Sequence, residues 1–317
     1  MNILITGGAG FIGSHLCDEL LKEGNNVTAV DNLSCGNENN LYSAKKSDGF
    51  DFINTDICNK QSLFNIFSSK KFDVVFHLAA NSDIALSSEN PDIDFNNTFL
   101  TTYNVLNAMK EFNVKNIVFA STSAIYGDLK EEITEKSAPL FPVSHYGASK
   151  LASEAFISSF CENCAIKAWI IRFPNVVGER ATHGVIFDFI NKLKKNPNEL
   201  EVLGDGNQNK PYIYVKDLIE AILFVWKNTN EKINYFNIGI DSSTTVKEIA
   251  EIVIKEMKLN AQIKYTGGKS GWVGDVPQFR YNAEKIHKLG WCAKYTSTEA
   301  IQKAVKNILE QDKICRQ

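Results

Sequence analysis

Asn2-Ile3-Leu4-Ile5-Thr6-Gly7-Gly8-Ala9-Gly10-Phe11-Ile12-Gly13 opens the chain on a short apolar run that breaks into glycines. Such a run reads as a buried strand, and the residues after Gly10 carry helical apolar spacing. Gly8 to Gly13 fits the G-x-G-x-x-G pattern, and Gly7, Gly10 and Gly13 also give a three-residue glycine spacing. A turn of this kind lets backbone approach a pyrophosphate, whose charge then meets free N–H groups and the positive end of a helix dipole. Asp31 closes the next apolar run about 20 residues on, where a carboxylate accepts from both ribose hydroxyls and repels a 2′-phosphate. The pattern predicts a dinucleotide site at Gly7, Gly10, Phe11, Ile12, Gly13 and Asp31, with NAD favoured over NADP.

Working outward, strand-like runs alternate with helical stretches: Ile3 to Thr6, Val27 to Val30, Asp51 to Asn54, Val74 to His77, Ile117 to Ser121 and Trp169 to Arg172. They lack period-2 alternation, so both faces are covered, and the crossovers Ile12 to Glu23, Lys60 to Ser69, Asp92 to Phe112 and Tyr146 to Cys161 supply the cover. The fold class is α/β, a doubly wound parallel sheet. Beyond about Asn175 the alternation gives way to shorter elements: Val185 to Lys195, Val202-Leu203, Asp217 to Trp226, Phe236 to Ile238, Thr245 to Met257, Ala283 to Leu289 and Ser297 to Gln311. The expected division is residues 1–175 for the cofactor domain and 176–317 for a smaller mixed α/β domain that takes the substrate, with interleaved boundaries. Thr296 and Glu299 stand at the spacing of a capping box. Asp56-Ile57, Leu78-Ala79-Ala80 and Asn97 fall where parallel-sheet loops open onto a ligand crevice.

Tyr146 and Lys150 lie four residues apart in Ser144-His145-Tyr146-Gly147-Ala148-Ser149-Lys150, on one helix face. An ammonium near a phenol favours its ionised form. Lowering a phenol pKa from about 10 to about 7 takes about 4 kcal/mol, which Lys150 and an oxidised nicotinamide together are expected to supply. Ser121-Thr122-Ser123-Ala124-Ile125-Tyr126-Gly127 follows the fifth strand and offers hydroxyls that hold or relay a proton as hydride leaves a carbinol carbon.

The 317 residues are 44 % hydrophobic and 22 % charged with net charge -3, an ordinary globular composition that argues against a nucleic-acid or polybasic membrane surface. The first strand follows Met1 directly and the apolar runs are too short to span a bilayer, so the expected location is the cytoplasm. Seven cysteines read as free thiols. Cys161 and Cys164 have metal spacing but no second pair follows, so no metal site is expected.

In these motifs the chain resembles the extended short-chain dehydrogenase/reductase family with its Rossmann-type sheet, and in particular its nucleotide-sugar epimerases similar to UDP-glucose (UDP-galactose) 4-epimerase. The resemblance rests on Gly7 to Gly13, Asp31-Asn32, Asp56-Ile57, His77-Leu78-Ala79-Ala80, Thr122, Tyr146 with Lys150, Arg172-Phe173-Pro174-Asn175 and Asp217. It implies a catalytic triad of Thr122, Tyr146 and Lys150. NAD stays tightly bound, with Asn32, Tyr146 and Lys150 among its contacts. The hexose of a nucleotide-diphosphate sugar is oxidised transiently at C4, the 4-keto sugar rotates, and hydride returns to its other face. It further implies a homodimer built on Asp92 to Phe112 and Tyr146 to Cys161, and substrate contacts at Ser123, Asn175, Val202, Lys210, Trp272 and Asp275.

Three departures narrow this reading. Related 4,6-dehydratases carry acidic residues just after the catalytic Thr, whereas Ser123-Ala124 supply no carboxyl for removing water across C5 and C6. Lys210, followed by Pro211, stands where arginine is usual and lacks its bidentate fork. Trp272 in Gly271-Trp272-Val273-Gly274-Asp275 stands where epimerases usually place arginine. The alternative is a net 4-dehydrogenase or reductase acting on an unusual nucleotide sugar such as a GDP-heptose. It would release the ketone, with NADH reoxidised by a second substrate.

Overall fold

The computed structural model describes residues 1–82, 88–129, 131–268, 276 and 278–314. It divides into two compact units. One comprises Met1–Ile125, Ser144–Arg172 and Ile222–Phe236, the other Tyr126–Val143, Phe173–Ala221 and Asn237–Gln317.

The first unit carries β1 (Asn2–Thr6), β2 (Asn26–Asp31), β3 (Phe50–Asn54), β4 (Val74–His77), β5 (Asn116–Thr122) and β6 (Lys167–Phe173). Each lies within a residue or two of the run read from sequence. The second unit holds β7 (Asn175–Val177), β8 (Glu199–Val202), β9 (Asn209–Lys210) and β10 (Tyr212–Tyr214), and β11 (Ile233–Asn237) follows. The large sheet has the order β11-β6-β5-β4-β1-β2-β3, and the pairings from β3 through β5 are parallel. Ile3, Leu4, Ile5, Phe76 and Phe119 are fully buried, as strands covered on both faces require. The chain winds outward in both directions from β1 and β4, and a switch point of this kind is where open α/β sheets take their ligands, beyond the carboxyl ends of the strands.

Two readings are corrected here. Phe236 to Ile238, assigned by the sequence to the smaller domain, overlaps β11, which is the edge strand of the large sheet. Pairing with β6 brings it there across some sixty residues of chain, a non-local contact that local patterning does not reveal. The helix read over Asp92 to Phe112 is three-part: Pro91–Asp94 is α-helical, Phe95–Leu100 is π-helical and Thr101–Glu111 is α-helical again.

Around the sheet lie α1 (Phe11–Lys22), α2 (Lys60–Ser69), that three-part segment, here α3, and α4 (His145–Cys164). Their starts follow from short polar side chains. Asn59 accepts from the Ser62 N–H at the head of α2, Asn90 from Asp92 with Pro91 at the first helical position, and Ser144 from Gly147 at 3.1 Å. In the second unit β7 and β10 pair in parallel, and Thr244–Thr245 pairs antiparallel with β9. The helices are Val185–Lys195, Val246–Glu256, Glu284–Leu289 and Ser297–Ile314, with Val215–Asn228 shared between the units. The capping box forms as spaced, Thr296 N–H donating to Glu299 Oε2 at 2.8 Å and Glu299 N–H to Thr296 Oγ1 at 3.4 Å.

Candidate active site

The glycine turn closes on itself and on the loop after β4. Gly7 has φ +71°, and a Cβ there would stand 2.8 Å from the Ala79 nitrogen; a Cβ on Gly13 would stand 2.1 Å from the Gly7 oxygen. Only glycine fits either place. Gly10 precedes α1 without offering a side-chain acceptor, so the first N–H groups of α1, at Phe11, Ile12 and Gly13, face outward as an anion cradle. This cradle fits the pyrophosphate of a dinucleotide.

Asp31 closes β2 with its carboxylate fixed by the chain. Ala9 N–H donates to Oδ2 at 3.0 Å and Leu33 N–H to Oδ1 at 2.8 Å. Burial raises its pKa against these bonds. Gly36 lies so close that a Cβ would sit 2.8 Å from Oδ1. Asn32 folds back onto Ser34, accepting its N–H at 3.1 Å and hydroxyl at 2.7 Å. Asp56 is exposed and accepts from Cys58 N–H at 2.8 Å, while Ile57 is buried. Leu78, Ala79 and Ala80 are half-buried beside Gly7, with Leu78 N–H donating to the Thr6 oxygen at 3.1 Å.

Asn97 lies on α3. It is exposed on the π-helical stretch, where its Oδ1 accepts from the Cys58 thiol at 3.5 Å. Thr98, the next residue, is the one turned inward, and its Oγ1 accepts from Asn81 N–H at 3.1 Å.

Thr122 ends β5 and Tyr146 and Lys150 lie on α4, so this unit brings the three together. Thr122 Oγ1 takes the Ala124 N–H at 3.1 Å, which leaves its proton for the Tyr146 phenol oxygen. Lys150 is buried, donates to the Ala120 carbonyl at 2.6 Å, and has its Nζ 6.0 Å from the Tyr146 ring centre. Burial pulls its pKa down to about 7 against the pull of Asp94 and Glu154.

Burial pushes the Tyr146 phenol pKa up to about 12, the Thr122 bond works against that, and the Asp94 charge adds to it. In the protein alone burial therefore favours the neutral phenol.

His77 is structural. Thr102 gives its own proton to the Thr98 carbonyl at 2.8 Å, so His77 Nε2–H donates to Thr102 at 3.0 Å and Nδ1 accepts from Thr6 Oγ1 at 2.6 Å. Burial first, then the Lys150 charge, hold its pKa down to about 3.

Glu154 and Asp94 were missed by the motifs. Glu154 lies on the Tyr146–Lys150 face of α4, a spacing that does signal it. Its carboxylate takes Arg172 Nε at 3.0 Å, Arg172 Nη2 at 2.6 Å and the Ser121 hydroxyl at 2.5 Å.

In the second unit Asn175 on β7 stands opposite Tyr212, and its Nδ2 donates to the Pro211 carbonyl at 3.4 Å, which brings it next to the buried Lys210. Val202 ends β8 fully buried. Ser123 begins a short 3-10 turn in the first unit. Trp272 and Asp275 lie outside the described residues. Among the described residues, no cluster of His, Cys, Asp or Glu could hold a metal ion and no helix is long and apolar enough to cross a membrane.

Residues 3–239 match the model of the NAD dependent epimerase/dehydratase family. A crystal structure of a UDP-galactose 4-epimerase is 37 % identical with TM-score 0.87, covering 98 % of this chain and 99 % of that one. The Thermus thermophilus UDP-glucose 4-epimerase in complex with NAD is 29 % identical with TM-score 0.87 over the same shares. The dTDP-D-glucose 4,6-dehydratase of Mus musculus is 31 % identical across 96 % of this chain and 87 % of its own length.

Proposed function

The chain belongs to the NAD-dependent epimerase/dehydratase family, and from that membership we propose that it is a nucleotide-sugar 4-epimerase with NAD held tightly throughout turnover. The observation that carries this reading is the Thr122 hydroxyl on the Tyr146 phenol, with Lys150 one helical turn along.

Gly7, Gly10 and Gly13 with the head of α1 hold the pyrophosphate, and Asp31 the adenosine ribose. Bound NAD supplies the hydride acceptor and, when oxidised, a positive charge that favours phenolate. Tyr146 takes the proton from the C4 hydroxyl as hydride leaves C4, and Thr122 hydrogen-bonds the oxygen between carbinol and ketone. Lys150 keeps a positive charge beside the phenol. After the ketone turns over, Tyr146 returns the proton. Ser123 and Ala124 stand directly after Thr122 and bring no carboxyl there, which disfavours removal of water from the sugar.

Asn175 and Lys210 hold the diphosphate. The homodimer reading is supported by an aromatic stripe on α3 and α4. Phe95, Phe99, Tyr103, Phe156 and Phe160 form a chain of ring contacts, yet Phe95, Tyr103 and Phe156 remain exposed. A patch of this kind is the usual mark of an interface.

The test is to incubate the purified chain with UDP-, GDP-, dTDP- and CDP-sugars while following product stereochemistry and nicotinamide absorbance. C4 inversion without accumulated NADH is expected. A released ketone with trapped NADH would instead make the protein a 4-dehydrogenase.

A further inference from the structure

Asp94 is fully buried at the end of the first turn of α3. That turn is fixed by the Asn90 cap and Pro91, and it packs against α4, the helix that carries Tyr146 and Lys150. Asn81 ties the acid down: its backbone N–H goes to Thr98 at 3.1 Å and its Nδ2 donates to Asp94 Oδ1 at 3.0 Å. The second carboxylate oxygen, Oδ2, is equally buried and has no hydrogen-bond partner among the described residues. A carboxylate kept in such a place, with half its acceptor capacity unused, needs a reason beyond packing, because burying an unpaired acceptor is costly.

Its electrostatic neighbours supply that reason. Of the charged groups among the described residues that act on Tyr146 and on Lys150, Asp94 is the strongest at both. Among the described residues, the other charges that act on the pair are matched by a partner or neutral. Glu154, on α4 itself, is locked to Arg172 of β6, and His77 of β4 is held neutral. The negative charge of Asp94 stabilises the Lys150 ammonium and opposes the Tyr146 phenolate.

The geometry points to Asp94 as a further positioning residue of this site, one that sets the pH at which the Tyr146–Lys150 pair works through its charge, without touching substrate. It rests on the 4-epimerase reading only in the assignment of Tyr146 and Lys150 to catalysis. Activity requires one distribution of protons across the Tyr146–Lys150 pair, so two titrations of the coupled pair bound it, one on each side of the optimum. Asp94 holds both at higher pH.

Asp94→Asn removes the charge and keeps an oxygen for the Asn81 amide. In the full chain loaded with NAD, the pH–rate profile is measured with whichever nucleotide sugar the wild type turns over fastest. Both limbs are expected to move to lower pH, by roughly one pH unit. Asn81→Ala, which frees the carboxylate but leaves its charge, should leave both limbs in place. A second readout needs no turnover, namely the urea midpoint against pH for the cofactor-free chain. Its Lys150-dependent rise, which in the wild type begins near pH 7, should begin at lower pH in Asp94→Asn. Limbs and midpoints that superpose on the wild type overturn the proposal, as does an equal displacement in Asn81→Ala. A wild type inert on every sugar would fail the 4-epimerase reading instead, and the urea series would still decide the role of Asp94.

Discussion

Lys150 donates to the carbonyl oxygen of Ala120 across 2.6 Å, so the ammonium on α4 is moored to the backbone of β5. Thr122 lies two residues further along that strand, and the mooring therefore sets the lysine and the threonine hydroxyl in fixed register. The bond is made at the expense of solvation, since Lys150 is buried and its pKa is drawn down to about 7.

Lys150→Met is accordingly expected to separate activity from stability. Turnover should fall at least about a hundredfold, the lower range for loss of a group serving proton transfer. The folded pKa lies below the unfolded value of 10.5, so the burden of the buried charge is full below pH 7 and fades as pH rises to 10.5. The methionine variant should gain stability relative to wild type most at pH 6 to 7 and least near pH 10, read from urea midpoints. A variant that lost equal stability at every pH would contradict this.

Gly13→Ala places a methyl 2.1 Å from the Gly7 oxygen, 2.9 Å from its carbonyl carbon and 3.0 Å from Gly8 Cα. These are backbone atoms and cannot swing aside. The turn must open, which should cost about 1–3 kcal/mol of stability and at least about tenfold in NAD affinity, about 1.4 kcal/mol. Titration calorimetry with NAD checks it; wild-type affinity would show that the cradle does not hold the cofactor.

Arg172→Met strands the Glu154 carboxylate, which the guanidinium grips through two bonds of 3.0 and 2.6 Å. Removing one partner of a buried pair costs about 3–5 kcal/mol, whereas replacing both by apolar groups is often neutral. Arg172→Met should therefore unfold at much lower urea than wild type, and Arg172→Met/Glu154→Leu should recover most of the loss. Additive losses in the double variant would argue that the pair is not an isolated ionic unit.

His77 gives the chain an acid liability. Its folded pKa of about 3 lies below the ordinary 6.5, so between those values the unfolded chain binds the extra proton and stability falls as pH falls. The full effect is roughly 5 kcal/mol at about 1.36 kcal/mol per pH unit. Measured from pH 7 to pH 4.5, wild type should lose stability more steeply than His77→Gln; parallel curves would show that His77 is protonated in the fold.

Much of this was legible in the residues. Strands β1, β2, β4, β5 and β6 are apolar runs buried on both faces, so composition alone locates them, while β3 is a half-buried edge strand, and the glycines at 7 and 13 stand where only hydrogen fits. Ser144, Asn59 and Thr296 mark helix starts through bonds to N–H groups two or three residues away. Local signals of that kind survive folding. Asp94 is different: Asn90-Pro91-Asp92-Ile93-Asp94 reads as an exposed acidic first turn, and it is burial against α4 that gives it a role. The π-helical stretch at Phe95–Leu100 likewise turns Thr98 inward and leaves Asn97 outside. The high pKa of Tyr146 follows from desolvation, which no spacing records.

The account turns on Tyr146 as the group that moves the proton at C4. Tyr146→Phe keeps the ring and deletes the hydroxyl that meets Thr122. The direct measurement is its turnover on the sugar the wild type inverts, alongside its NAD affinity. Affinity close to wild type with turnover lower by about 10²–10⁴ is predicted; turnover within about twofold of wild type would contradict it.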